Sequence, residues 1–332
     1  MKRRDILKFS LAAGVAWLIA TPNLAMAADP VMVTVVKIAG IPYFGALERG
    51  LQEAGKQFNI DVSMTGPANI DPAQQVKLLE DLIAKKVDVI GLVPLDVKAC
   101  EPVLKRAQAA GIKVIVHEGP EQEGRDWDVE LIDSTKFGEV QMQSLAKEMG
   151  EEGDYVVYVG TLTTPLHNKW ADAAIAYQKA HYPKMNLVAD RFPGADEIDS
   201  AYRTTIDVLK AYPKLKGILA FGSNGPIAAG NAVKEKHLSK RVAVIGTVLP
   251  SQAKDLIMDG VIREGFMWNP REAGSAMVAV ARLVLDGTKI EDGMDVPGLG
   301  KATVDVPGKL IKVDKITHIN KETVDGLIAQ GL

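Results

Sequence analysis

Residues 74–118 read as two consecutive helix-then-strand units of nearly the same design, and this repeat constrains the fold more than any other feature of the chain. Gln74, Val76, Leu78, Leu79, Leu82 and Ile83 recur at helical spacing before the apolar, β-branched run Val87-Asp88-Val89-Ile90-Gly91-Leu92-Val93. Pro94 and Asp96 interrupt the pattern. Val103, Leu104 and Ala107 restore a helical face, Gly111 ends it, and Lys113-Val114-Ile115-Val116 supplies another strand. Strands separated by helix-length crossovers are expected to lie parallel in one sheet. Each ends in polar residues, Pro94-Leu95-Asp96 after the first and His117-Glu118 after the second. The carboxyl edge of an open parallel sheet is where ligands bind.

The same grammar runs through the rest of the chain. Val33-Thr34-Val35-Val36 reads as a first strand ending at Lys37, Pro42-Tyr43-Phe44 opens a helix, and Ile60-Asp61-Val62-Ser63-Met64 is a second strand, which gives β-α-β-α-β-α-β before residue 119. Composition shifts at Gly119-Pro120-Glu121-Gln122-Glu123-Gly124-Arg125, and a boundary between halves is expected near Asp133. A second round follows. Its strands are Tyr155-Val156-Val157-Tyr158-Val159, a short Leu187-Val188-Ala189, Gly217-Ile218-Leu219-Ala220-Phe221 and Val242-Ala243-Val244-Ile245-Gly246, with helical segments between them. Ile262-Arg263-Glu264-Gly265-Phe266-Met267 then leads through Trp268-Asn269-Pro270 into an Ala-rich helix, and short strands close the chain. The fold class is α/β, with two similar doubly wound parallel-sheet lobes.

A chain of 332 residues has room for two such lobes, and its formal net charge of -3 argues against a nucleic-acid partner. Residues 1–27 read as an address. Lys2-Arg3-Arg4 precede an apolar run too short to span a bilayer comfortably, and Ala25-Met26-Ala27 has the small-x-small form that signal peptidase accepts. Lys2-Arg3-Arg4-Asp5-Ile6-Leu7-Lys8 resembles a twin-arginine signal, so export to the periplasm by that route is expected. Cys100 is the only cysteine, which excludes an intramolecular disulfide and a cysteine metal cluster.

No catalytic arrangement assembles from the sequence. Gly298-Leu299-Gly300-Lys301 has Asp295 where a phosphate loop needs its first glycine, and His117-Glu118 is not followed by a second histidine at helical spacing. There is no nucleophile elbow and no dinucleotide fingerprint, so neither a cofactor nor a metal is expected. The strand ends instead carry a mixture suited to a polyhydroxyl ligand: aromatic faces for C–H surfaces, and charged or amide groups for hydroxyls. The candidates are Lys37, Tyr43, Phe44 and Glu118 from the first half, and His167, Asn168, Trp170, Asn224, Trp268 and Asn269 from the second half and the returning chain. Each has a plainer alternative. Tyr43 and Phe44 could cap a helix face, Lys37 could be a solvated strand end or an ion-pair partner, Trp170 and Trp268 could be core, and Asp96 reads as a helix cap.

These residues resemble the periplasmic sugar-binding proteins of ATP-binding-cassette importers, of the ribose-binding type. The likeness rests on Pro42-Tyr43-Phe44, Val93-Pro94-Leu95-Asp96, Val114-Ile115-Val116-His117-Glu118 and Ala220-Phe221-Gly222-Ser223-Asn224. Within that family Asn168-Lys169-Trp170, Gly265-Phe266-Met267-Trp268 and residues 296–304 look most like the autoinducer-2-binding branch, although Leu166-His167 and Phe221-Gly222-Ser223 replace that branch's acid-amide pair and its strand exit. The resemblance implies a receptor whose lobes, residues 28–133 plus about 249–296 and residues 134–248 plus about 297–332, close over a ligand about a hinge near Asp133, Val248 and Pro297. A pentose, a deoxyhexose, a short polyol or autoinducer-2 would fit, delivered by a monomer to a membrane permease or presented to a chemoreceptor or sensor. An exported enzyme is the remaining alternative.

Overall fold

The computed structural model describes residues 28–332; the expected address at residues 1–27 lies outside them. The first eight elements are β1 (Val31–Val35), α1 (Pro42–Phe58), β2 (Asp61–Thr65), α2 (Pro72–Lys85), β3 (Val89–Leu92), α3 (Val97–Ala109), β4 (Lys113–Val116) and β5 (Trp127–Glu130). Strands β1 to β5 pair in parallel in the order β5-β4-β3-β1-β2, so β1, β3, β4 and β5 leave the sheet at one edge. Start and stop signals set these units. Asp71 accepts from the N–H groups of Ala73 and Gln74 at the head of α2, and Asp96 accepts from Ala99 at the head of α3. The Asp96 carboxylate is thus a cap.

A buried amide braces the edge. Gln75 Nε2 donates to the carbonyls of Val36 and Val93, and its Oε1 accepts from Leu95 N–H, which ties α2 to the exits of β1 and β3. Cys100 is buried beside it, and burial pushes its thiol up to about 12, far from reactive ionisation.

The second lobe continues with α4 (Ser134–Met149), β6 (Glu152–Tyr158), α5 (Pro165–His181), β7 (Lys184–Leu187), α6 (Ile198–Ala211), β8 (Leu215–Ala220), α7 (Gly225–Glu235), β9 (Ala243–Thr247), α8 (Pro250–Met258) and β10 (Ile262–Met267). Here the parallel order is β10-β9-β8-β6-β7. The strand expected at residues 187–189 lies earlier, at β7, where it pairs with the start of β6.

The chain then returns to the first lobe as α9 (Pro270–Leu285), which packs on α1 at very close range. A Cβ on Gly274 would stand 2.2 Å from the Leu47 carbonyl oxygen, and one on Gly50 would stand 1.9 Å from that of Arg271. Only glycine permits this approach. A small hairpin, β11 (Asp295–Val296) and β12 (Gly300–Lys301), precedes β13 (Thr303–Asp305) and β14 (Leu310–Lys312). Strand β14 pairs parallel to β5, and β15 (Thr317–Ile319) pairs antiparallel to β10 before the closing α10 (Val324–Ala329).

Sheet membership corrects two of the three expected crossings. The first lies at residues 131–133, between β5 and α4. The second is not at Val248, because α8 makes one more crossover and β10 extends the second sheet; the chain leaves that lobe at residues 268–269. The third is not at Pro297, because β13 and β14 belong to the first sheet; it lies at residues 313–316. Ion pairs strap this region: Lys312 reaches Asp133 at 2.6 Å and Lys315 reaches Glu272 at 2.7 Å.

Candidate functional site

The carboxyl edges of the two sheets face each other across a narrow cavity of about 20 Å3, room for little more than a water molecule with the lobes as close as they stand here. The first lobe contributes Lys37, Ile41, Tyr43, Phe44 and Glu118; the second contributes His167, Trp170, Asp196, Gly222, Ser223 and Thr247; Trp268 enters at the second crossing.

Lys37 follows β1 and Glu118 follows β4. Their Nζ and Oε2 atoms are 3.0 Å apart, and both residues are buried. Burial alone would raise the Glu118 carboxyl, but Lys37, His117 and hydrogen bonds to the carboxylate outweigh it, and the group falls below its usual range. Burial likewise opposes the Lys37 charge, yet Glu118 and Asp196 raise its pKa. Glu118 also adopts φ 59°, a left-handed conformation that a non-glycine residue rarely takes outside turns and caps. The chain accepts it at a strand exit, where it turns the carboxylate onto Lys37.

A second layer fixes this corner. His117 Nδ1–H donates to the Val129 carbonyl at 2.6 Å, which leaves Nε2 to accept from the Tyr43 hydroxyl at 3.4 Å. Burial, more than any nearby charge, lowers the His117 pKa and keeps it neutral. Burial and then the Glu118 charge raise the Tyr43 phenol well above its usual value, so it stays a donor.

Aromatic rings form the rest of the wall. Trp170 stacks against His167 with centroids 5.3 Å apart and planes 28° from parallel. Trp268 meets Trp170 edge-on at 5.5 Å and Tyr43 at 5.9 Å, so it bridges the lobes. Several buried polar atoms of the wall have no hydrogen-bond partner among the described residues: Trp170 Nε1, Trp268 Nε1, Asp196 Oδ2 and Thr247 Oγ1. Buried polar groups are almost always satisfied, so unpaired donors and acceptors on one cavity wall point to a polar molecule between them.

Seven of the ten candidates, Lys37, Tyr43, Phe44, Glu118, His167, Trp170 and Trp268, line this cavity. The three asparagines do not. Asn269 caps α9, its Oδ1 accepting from the N–H groups of Arg271 and Glu272. Asn168 donates to the carbonyls of Thr161 and Thr164 and accepts from Arg191. Asn224 donates to the Asp196 carbonyl, holding that loop against α7. Of the three, Asn269 satisfies N–H groups at a helix start; Asn168 and Asn224 bind loop carbonyls instead, and Asn224 Oδ1 has no partner among the described residues. The site also contains Ile41, Asp196, Gly222, Ser223 and Thr247, which the sequence reading missed. Thr247 was within reach of the strand-exit rule, since it is the last residue of β9.

Comparison with known proteins agrees with this architecture. A family model described as "Periplasmic binding protein domain" matches residues 32–289. The chain belongs to the periplasmic binding protein family. Among curated relatives, the ribose import binding protein RbsB of Bacillus subtilis is 21% identical over 258 residues, 77% of this chain and 82% of that one. The xylitol-binding protein of Mycolicibacterium smegmatis is 22% identical, covering 85% of this chain and 79% of that one. Among solved structures, LsrB of Clostridium saccharobutylicum in complex with AI-2 superposes with a TM-score of 0.83 at 20% identity, covering 89% of this chain and 99% of that one. A solute-binding protein of Clostridium phytofermentas with bound L-rhamnose gives 0.85 at 24% identity, covering 92% and 99%. Membership of this family settles the class of fold as two parallel-sheet lobes.

Proposed function

We propose that this periplasmic binding protein captures a small sugar or sugar-like polyhydroxyl ligand in the interlobe cavity and delivers it to a membrane ABC permease. The observation that carries the reading is the set of unpaired buried donors and acceptors set among aromatic faces on one cavity wall. A polyol or sugar ring presents C–H faces to indoles and alternates donating and accepting hydroxyls around its rim. Residues from both lobes line the cavity, so a ligand there favours the closed arrangement over an open one, and closure is the signal a permease can read. The ligands named for the relatives, ribose, xylitol, L-rhamnose and AI-2, all belong to this chemical class.

Binding without turnover fits the electrostatics. The Lys37 and Glu118 pKa values are pushed away from neutrality in opposite directions, and an acid or base is efficient when it titrates near the working pH. Export by the twin-arginine-like leader would place the protein in the periplasm, as a monomer.

Thermal-shift measurements with D-ribose, L-rhamnose, xylitol and AI-2 test the reading, because a ligand that binds only the folded protein raises its midpoint. At least one is expected to do so in a saturable way. An unchanged midpoint with all four at millimolar concentration contradicts it.

A further inference from the structure

The backbone N–H of Gly160 donates to Nδ1 of His167 at 2.9 Å. A ring nitrogen that accepts carries no proton, so the neutral imidazole holds its hydrogen on Nε2. That Nε2 faces Lys37 Nζ across the cleft at 3.3 Å, and an ammonium has no lone pair to offer. Two donors therefore confront each other, one from each lobe, and neither satisfies the other. Both residues are buried.

The charged and titratable groups around His167 are Lys37, paired with Glu118, from the facing lobe, and Asp196 from the loop before α6. A Cβ on Gly160 would stand 2.9 Å from His167 Nδ1 and 2.2 Å from Asp196 Oδ2, so a side chain here would crowd both groups. Burial, and then the Lys37 charge, hold the His167 pKa well below the ordinary histidine value.

Building on the reading of a hydroxyl-bearing ligand, we propose that His167 is a fixed Nε2–H donor which, together with Lys37, cradles a single ligand oxygen between the lobes. That oxygen accepts from both donors. A hydroxyl can do this and still donate a hydrogen bond to an acceptor such as Asp196 Oδ2, which has no partner among the described residues. An ammonium at the same position has no lone pair and meets the Lys37 charge, and a deoxy carbon leaves the His167 Nε2–H without an acceptor while Lys37 keeps only Glu118. The pair thus selects a hydroxyl at one position of the ligand, and the hydroxyl supplies the contact between lobes that the two donors lack.

Long-range 1H–15N correlation spectra of ligand-free protein labelled with 15N-histidine decide the tautomer. His167 is expected to show a protonated Nε2 and a bare Nδ1, unchanged from about pH 5 to about pH 8. A proton on Nδ1, or titration to the imidazolium within that range, overturns the assignment. Titration calorimetry with D-ribose, L-rhamnose and xylitol reads its use. For the probe that the wild type binds, His167→Gln, which keeps an N–H near the Nε2 position, is expected to hold the Kd within about tenfold, and His167→Leu to weaken it about 100-fold. Equal losses in the two variants overturn the cradle. Wild-type protein that binds none of these three probes, nor AI-2, contradicts the proposed function, and the tautomer spectrum still decides the assignment of His167.

Discussion

Lys37 Nζ lies 3.0 Å from Glu118 Oε2, and this buried pair, 81 residues apart in the chain, locks the exits of β1 and β4 into one corner of the cleft. It is held in turn by Tyr43 and His117 behind it and faces His167 and Asp196 in front. Its burial depends on the two lobes meeting.

Glu118→Ala leaves the Lys37 ammonium without its partner. Breaking a buried pair from one side costs about 3–5 kcal/mol when the stranded charge cannot reach water. Here opening of the lobes hydrates it. The loss is therefore predicted to appear as a larger radius of gyration in small-angle X-ray scattering of the ligand-free protein, with its unfolding midpoint only slightly lowered. An unchanged radius and a large fall in midpoint would mean that the cleft does not open to relieve the charge.

Asp128 and Glu130 stand two residues apart on β5, both buried, with Asp128 Oδ2 and both Glu130 oxygens unpaired among the described residues. Burial pushes Asp128 up to about 7; burial and then the Asp128 charge carry Glu130 well above its usual value. The folded state therefore keeps protons that the unfolded chain releases above its ordinary carboxylate range, so stability from this pair is full below about pH 4 and falls as pH rises toward about 7. Glu118 has the opposite sign: its depressed pKa gives stability that is lost as pH falls below its ordinary value of 4.5. The thermal midpoint is predicted to be higher at about pH 5 than at about pH 7.5, and the Asp128→Asn, Glu130→Gln double variant to flatten that slope.

Trp170→Phe keeps an aromatic face against His167 and removes a buried N–H that has no partner among the described residues. Loss of packing and relief of the unsatisfied donor oppose each other, so the midpoint of ligand-free protein is predicted to shift little. Affinity for a bound sugar is predicted to fall about tenfold, the worth of one neutral hydrogen bond, by titration calorimetry.

Asn269→Ala removes the cap of α9 and is predicted to lower stability by about 1 kcal/mol in denaturant titration, with the ligand Kd unchanged within about twofold. A large loss of affinity would put this side chain back among the ligand contacts.

The alternation of helix and strand periods was enough to read the two lobes, and the strand-exit rule picked out Lys37, Glu118, His167, Trp170 and Trp268, which line the cavity between them. It also picked out Asn168, Asn224 and Asn269, which do not line the cavity, because residue type does not say whether an amide at a strand exit faces the cavity or turns to nearby backbone. Asp196 was invisible for a different reason. It lies in the irregular loop between β7 and α6, where no period marks its direction, and only the fold brings it onto Gly160 beside His167. The crossings at residues 268–269 and 313–316 were misplaced because the three-residue strand β14 is too short to announce which sheet it will join, and β10 carries no sign of whether it extends the second sheet or returns to the first.

The central claim is that a small polyhydroxyl ligand binds between the lobes against Glu118 and Lys37. Isothermal titration of the wild type and of Glu118→Ala, side by side with D-ribose, L-rhamnose, xylitol and AI-2, tests it most directly. One site per chain is predicted in the wild type for at least one probe, with affinity weakened by about 100-fold or more in the variant. No binding of any probe by the wild type, or the same Kd in both proteins, would contradict it.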